Sequence, residues 1–301
     1  MNKIYLDFNT YLKNKFKHKV YKVVVDAGFS CPNRDGSLSS NGCIYCNEQG
    51  SGSGLSHLSI KEQILKGIDS IKNKNPDAKI MVYFQAFSNT YGSLEKLEKV
   101  YSQALCHKDI VAFAIGTRPD CVDVEKLELI DKIFKGYEVW MEYGLQSANN
   151  QTLKTINRHH NFEQFLLALV RTKKFPDLKI CVHVIFGLPD ETKLDMLNTI
   201  QRIAPLEIDG IKFHPLYVEK GTTLEKTFKE KPFTLLSQQE YIELLACALE
   251  MLPKNVVIQR LTADCPREQL IAPLWISNKL QVLNDLSKYM IEQESFQGKR
   301  M

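Results

Sequence analysis

The chain has 301 residues, 44% of them apolar, and carries 39 Lys and Arg against 35 Asp and Glu, a formal net charge of +4. That is enough apolar surface for a full core, in one large α/β domain or two small ones. It rules out a membrane-spanning run and, with 8 cysteines in a chain this long, a disulfide scaffold; the mild charge permits an anionic partner without demanding one. Met1-Asn-Lys-Ile-Tyr-Leu-Asp-Phe lacks the apolar core of a signal peptide, so a cytoplasmic location is expected, where thiols stay reduced.

Residues 1–19 read as a basic lead-in. Tyr11-Leu-Lys-Asn-Lys-Phe-Lys-His-Lys19 interleaves lysines with aromatic residues, which fits either a solvated approach to the first strand or a contact with nucleic-acid phosphates. Val20-Tyr-Lys-Val-Val-Val25 is β-branched and reads as a buried strand. It opens into Phe29-Ser-Cys-Pro-Asn-Arg-Asp-Gly-Ser-Leu-Ser-Ser-Asn-Gly-Cys-Ile-Tyr-Cys46, a loop with two turn signals, followed by the Gly- and Ser-rich Gly50–Gly54. Cys31 and Cys43 are separated by eleven residues, Cys43 and Cys46 by two. Four thiolates would close a structural site, whereas three leave a coordination position for a substrate. Spacing alone leaves two readings open, an iron–sulfur cluster with one open iron or a zinc site completed by His57.

Ser59-Ile-Lys-Glu62 is a capping box that starts a helix through Ile71. Strands follow at Lys79–Gln85, Asp109–Ile115, Glu138–Leu145, Leu178–Phe186 and Ile208–His214, with amphipathic helices between them: one from Ser93 to Leu105, one through Leu127, Ile130 and Ile133, and one capped by Thr192 and Asp195. Strands that read as continuous apolar runs and alternate with helices imply a parallel sheet covered by helices. A partial barrel and an open doubly wound sheet both fit. Beyond residue 220 come a helix capped by Ser237 and Glu240, a short strand at Val256–Gln259 and a last helix to Met290, with residues 292–301 expected to fray. The division expected is a barrel over 20–220 and a C-terminal extension over 221–301 packed on it.

Parallel α/β folds collect their chemistry at the C-terminal ends of the strands. Those ends carry the three cysteines, Gln85 and Ser88, Arg118 and Asp120, Glu142 and Gln146, His183 and His214. Taken singly, Glu142 and His183 read as satisfied core polar groups; together with an open metal site they read as the lining of a pocket for a small polar cofactor.

The cysteine loop, with Tyr45 before its last cysteine, resembles the cluster loop of radical S-adenosylmethionine enzymes. Its long first gap resembles the elongator-catalytic-subunit/YhcC-like branch and its bacterial YtqA group. Gly116-Thr-Arg-Pro-Asp, Gly144-Leu-Gln-Ser-Ala-Asn, Ile156-Asn-Arg-His-His, Val184-Ile-Phe-Gly-Leu-Pro and Ile211-Lys-Phe-His-Pro-Leu carry the same likeness over about residues 15 to 280. It implies a partial (β/α)6 barrel with a C-terminal α/β extension, in which Cys31, Cys43 and Cys46 ligate a 4Fe–4S cluster whose fourth iron chelates S-adenosylmethionine, cleaved to a 5′-deoxyadenosyl radical. By motif position Arg158 would partner the cofactor's carboxylate, Gln146 and His183 its ribose, and Gln85 and Ser88 its amino group. Glu142, His214 and Lys212 would face the substrate. Cys121 and Cys265 read as semi-buried thiols, with a second cluster or hydrogen donation as the alternative.

For the substrate, the resemblance implies tRNA: removal of the glycine-derived part of the 5-carboxymethylaminomethyl group of wobble uridine to give 5-aminomethyluridine. A flavodoxin or ferredoxin would supply electrons, and a methyltransferase would act on the product. Lys13, Lys15, Lys17, Lys19, Lys22, Arg171, Lys173 and Lys174 are the candidate phosphate contacts to the anticodon loop. A radical enzyme acting on a small molecule such as a porphyrin precursor, and a non-enzymatic zinc-binding module, are the alternatives.

Overall fold

The computed structural model describes residues 4–48, 50 and 54–301; residues 51–53 of the Gly50–Gly54 stretch lie outside the described residues. Local signals set most of the elements. After α1 (Phe8–Phe16), six strands alternate with helices: β1 (Val20–Val25), α2 (Ile60–Lys72), β2 (Lys79–Phe84), α3 (Leu94–Ser102), β3 (Ile110–Thr117), α4 (Val124–Ile133), β4 (Glu138–Gln146), α5 (Asn150–Thr155), α6 (Phe162–Thr172), β5 (Leu178–Phe186), α7 (Lys193–Ile203) and β6 (Gly210–Pro215). Then come β7 (Val218–Glu219), α8 (Thr223–Glu230), α9 (Gln238–Glu250), β8 (Val257–Arg260), β9 (Leu270–Ala272) and α10 (Lys279–Glu292). The capping boxes at Ser59/Glu62, Thr192/Asp195 and Ser237/Glu240 all form, each satisfying orphan N–H groups at a helix start. α3 stops at Ser102, so Leu105 lies beyond the helix, exposed.

The strands form one sheet in the order β1-β2-β3-β4-β5-β6-β8, every pair parallel. This is a curled half-barrel with helices on its outer face; β7 and β9 form a separate antiparallel pair. β8, from within 221–301, is the seventh strand of the main sheet, in register with β6 at Gly210↔Val257. The outer core packs Ile64, Leu97, Phe134, Phe165, Ile200 and Leu245 against the sheet.

α1 is where the lead-in departs from a solvated approach to the first strand. Asp7 caps it. Its Phe8 and Leu12 bury against the inside of the barrel at the N-terminal ends of the strands. Phe8 meets Trp140 edge-on with centroids 5.4 Å apart, and Tyr11 does so at 5.7 Å. Tyr11 Oη donates to Glu138 Oε1 at 2.7 Å, and Lys15 pairs with the same carboxylate. The segment is the barrel's floor. Lys13, Lys15, Lys17 and Lys19 are exposed on it, at the end opposite the cysteines.

The C-terminal tail does not fray. Gln297 is buried; its backbone N–H donates to Ile4, its Oε1 accepts from Leu6 N at 2.9 Å, and its Nε2 donates to the carbonyls of Pro253 and Val256. Arg300 Nε lies 2.6 Å from Glu250 Oε2. Side-chain amide bonds to backbone groups hold this tail, and no apolar periodicity announces them.

Between β5 and α7, Glu191 accepts from Ser147 Oγ at 2.5 Å, tying the end of β4 to the α7 side. Burial pushes its carboxyl up from 4.5 to about 7, against the lowering by hydrogen bonds from Ser147 and Thr152. A raised carboxyl pKa adds stability only while the group is protonated, so this contribution is lost as pH rises from about 4.5 to about 7. Glu191→Gln is therefore expected to flatten that decline and to gain on the order of 1–2 kcal/mol at pH 8 in urea unfolding. A mutant curve parallel to the wild type across this window would show that Glu191 titrates normally.

Candidate active site

The loop after β1 is fastened by polar side chains. Arg34 Nη2 donates to the carbonyls of Cys46 and Asn47, both at 2.6 Å. Asn33 Nδ2 donates to Asn157 O at 2.6 Å, and Asn157 Nδ2 returns a bond to Gly42 O at 2.5 Å. Ile44 N donates to Ile156 O at 3.2 Å. The Asn157-Arg-His-His160 segment thus serves as the backing plate of the cysteine loop. All three thiols, Cys31, Cys43 and Cys46, open onto one cavity of about 600 Å³ at the C-terminal mouth of the half-barrel.

Their surroundings differ. Burial pushes the Cys43 thiol up, but Arg158 and Arg118 and the hydrogen bonds from Arg158 and Asn33 outweigh it, so the pKa falls. Arg158 Nη1 lies 3.5 Å and Asn33 Nδ2 3.4 Å from the Cys43 sulfur. Cys46 is raised to about 11 by burial and then by the charge of Cys43. The thiolate is the ligating form of cysteine, and at Cys43 the facing guanidinium favours it.

Arg158 is a largely buried residue of the cavity wall. Its Nη2 donates to Gly144 O at 2.6 Å and its Nε to His160 Nε2 at 2.9 Å. With the Cys43 contact, three of its five N–H donors are taken. Gly144 lets these side chains approach: a Cβ on it would stand 2.7 Å from Arg158 Nη2 and 2.8 Å from Gln146 Nε2, so both would have to shift. Gln146 itself adopts φ of 77°, at the irregularity that ends the β4–β5 ladder. Arg118 forms a fork with Asp120 at 2.9 and 2.8 Å. Its Nη1, buried and beside the cavity, has no hydrogen-bond partner among the described residues.

Deeper in the barrel, Glu142 accepts from Lys212 Nζ and lies 3.0 Å from His183 Nε2. Burial raises its carboxyl, yet Lys212, then His183 and Lys22, hold it well below the usual carboxylate range. His183 is lowered to about 4 by burial and Lys212, and His214 is lowered by burial and Arg260. Both imidazoles are therefore neutral near pH 7. Nε2–H of His183 donates to the carboxylate, leaving Nδ1 as an acceptor.

Gln85, Ser88, Gln146, Arg158, His183, Glu142 and His214 all line the cavity with the three cysteines. Lys212 does not; 1% exposed, it sits beneath the floor as the counter-ion of Glu142, with its ammonium 4.5 Å from the Tyr83 ring centroid. His57 is exposed and absent from the cavity wall. Cys121 is buried and Cys265 partly so, and neither lines the cavity. Sequence reasoning put Arg118 at a strand end without a role, and missed Lys22 and Arg260 as cavity residues. The signal for Lys22 was its place in a strand of alternating faces.

Three thiols at the C-terminal mouth of a parallel half-barrel, beside a cavity lined by polar groups, are the arrangement of an enzyme site that binds a metal or cluster with a position left for a small polar cofactor. The Radical SAM superfamily profile matches residues 38–203 and the Radical_SAM C-terminal domain profile residues 208–292: the chain belongs to the radical SAM superfamily. The Bacillus subtilis protein YtqA is 35% identical over 301 residues, 99% of this chain and 92% of that protein, which bears out the branch read from the motifs. A tRNA uridine(34) acetyltransferase of Methanocaldococcus infernus is 30% identical over 190 residues, 62% of this chain and 34% of that one. The structure of Methanocaldococcus infernus Elp3 superposes with a TM-score of 0.71 at 20% identity, over 91% of this chain and 63% of that one; this likeness concerns the fold.

The protein is a radical SAM enzyme whose cofactors are a 4Fe–4S cluster and S-adenosylmethionine, so the zinc-binding module is excluded. The donor set fits them: a Cys43 thiolate stabilised by Arg158, two further thiols on the same wall, and an orphaned Arg118 Nη1 in need of an acceptor. No helix among the described residues is long and apolar enough to cross a membrane.

Proposed function

We propose that the enzyme modifies the wobble uridine of tRNA, removing the glycine-derived part of a 5-carboxymethylaminomethyl group to leave 5-aminomethyluridine. The observation that carries this reading is the 190-residue likeness to an enzyme named for uridine 34 of tRNA. When bound, the cluster and S-adenosylmethionine supply a one-electron cleavage that yields a hydrogen-abstracting 5′-deoxyadenosyl radical.

The chain's own residues hold and orient. Cys31, Cys43 and Cys46 hold the cluster. Arg158 and the unpaired Nη1 of Arg118 offer charge-assisted donors to the cofactor's carboxylate. Gln146 and the free Nδ1 side of His183 serve the ribose hydroxyls, and Gln85 and Ser88 the amino group. Glu142 and His214 face the substrate; Lys212 acts through Glu142 as a positioning residue. A splayed-out base entering at the strand ends is the mode by which a single-stranded loop is read. The lysines of 13–19, on the floor at the far end, take no part. An external flavodoxin or ferredoxin donates the electron, and a methyltransferase consumes the product.

Mass spectrometry of tRNA nucleosides tests the reading. Cells lacking the protein are expected to accumulate 5-carboxymethylaminomethyluridine derivatives and lose the 5-aminomethyl series. Unchanged nucleosides would overturn it.

A further inference from the structure

Two basic side chains on the cavity wall stand out for having no hydrogen-bonding or ionic partner of their own among the described residues. Two acidic residues on its wall have counter-ions, Glu142 in Lys212 and Asp264 in Lys279, while Glu219 accepts from the neutral Asn47 Nδ2 at 3.0 Å. Three of the basic ones are occupied as well, Arg34 with the carbonyls of Cys46 and Asn47, Arg118 with Asp120, and Arg158 with Gly144 O and Cys43. Lys22 and Arg260 line the same cavity, and neither has an anionic partner among the described residues.

They come from opposite margins of the sheet. Lys22 lies on β1 and Arg260 at the end of β8, the two edge strands of the half-barrel, so they flank its open side. Lys22 Nζ lies 4.8 Å from the Phe8 ring centroid and 5.5 Å from that of Tyr83. Those ring faces solvate an ammonium in part but supply no counter-charge. Lys22 is an exposed residue whose side chain borders the cavity at the open side of the half-barrel. Desolvation, then Lys212, with Arg260 adding to it, lower Lys22 to about 7 despite Glu142. Two basic side chains that border one polar cavity without an anionic partner offer charge-assisted donors to an anion that enters it.

We propose that Lys22 and Arg260 form a carboxylate-binding subsite toward the floor of the cavity, which receives the anionic group of the substrate. In the tRNA reading above, on which this naming rests, that group is the carboxylate of the 5-carboxymethylaminomethyl side chain. Anchoring the carboxylate at the floor turns the adjoining methylene and amine toward the cysteine end, and it distinguishes substrate from product, since 5-aminomethyluridine lacks the anion. No bond is made or broken at the subsite.

The test is equilibrium binding to the reconstituted holoenzyme of three probes: tRNA carrying 5-carboxymethylaminomethyluridine at the wobble position, the same tRNA carrying 5-aminomethyluridine, and a porphyrinogen tetracarboxylate. The wild type is expected to prefer the first tRNA over the second by about tenfold or more, the factor of one charge-assisted hydrogen bond. Lys22→Met and Arg260→Gln, on different strands, should each collapse that preference at undiminished affinity for S-adenosylmethionine. Equal binding of the two tRNAs by the wild type, or a preference that survives in both variants, overturns the subsite. Affinity for S-adenosylmethionine that falls with the preference also overturns it, by assigning the cations to the cofactor. Failure to bind either tRNA, with the porphyrinogen bound in a Lys22- and Arg260-dependent way, upholds the subsite and overturns the tRNA reading; failure to bind any of the three overturns the subsite.

Discussion

Replacing any one of Cys31, Cys43 or Cys46 with alanine is expected to reduce 5′-deoxyadenosine formation by about three orders of magnitude or more, to background. Three thiolates are the minimum that holds a four-iron cluster while leaving one iron open, so two do not suffice. The loop itself should survive each change. Its fastenings are Arg34 to the carbonyls of Cys46 and Asn47, Asn33 to Asn157, and Asn157 to Gly42, none of which uses a thiol as its anchor. Unfolding midpoints should therefore stay near the wild type while bound iron and sulfide fall. Cys106→Ala and Cys247→Ala, away from the cavity, serve as controls with full iron content. A loop mutant that still cleaves S-adenosylmethionine would remove that residue from the ligand set.

Lys212→Met should destabilise the fold by roughly 3–5 kcal/mol, the cost of stranding a buried charge. Glu142 is 1% exposed, and Lys212 leads the charges holding it ionised against burial. Without the ammonium, burial dominates and the carboxyl pKa rises. Stability of the mutant is then present while Glu142 is protonated and lost as pH rises, so the deficit should shrink in acid and be full at pH 8. Adding Glu142→Gln removes the stranded charge and should recover most of the loss. Denaturant unfolding of the two single mutants and the double mutant measures the coupling. A Lys212→Met protein as stable as the wild type at pH 8 would show that the pair is not charged in the native state. The same pair sets the tautomer of His183, so the double mutant is expected to fold while failing in catalysis.

Much of this molecule follows from short-range signals. The helix starts at Ser59, Thr192 and Ser237 were legible because a capping box is complete within four residues. The strands were legible because parallel strands buried on both faces are continuous apolar runs, and β5 spans Leu178–Phe186 as read. That the three cysteines and the motif residues gather at one cavity was legible as well, since the mouth formed by the strand ends follows from strand direction. What only the tertiary structure decided was the fate of charge. Lysine residues nine apart in sequence, Lys13 and Lys22, lie one on the outer floor and one in the cavity, because α1 folds beneath the barrel while β1 turns Lys22 inward. Arg260 meets the same cavity only because β8 joins β6 as a seventh strand, and Lys212 became a buried counter-ion because the strand next but one to its own carries Glu142. Local sequence sets propensity and periodicity, whereas the dielectric around a charge and the partner it finds depend on strands far apart in the chain.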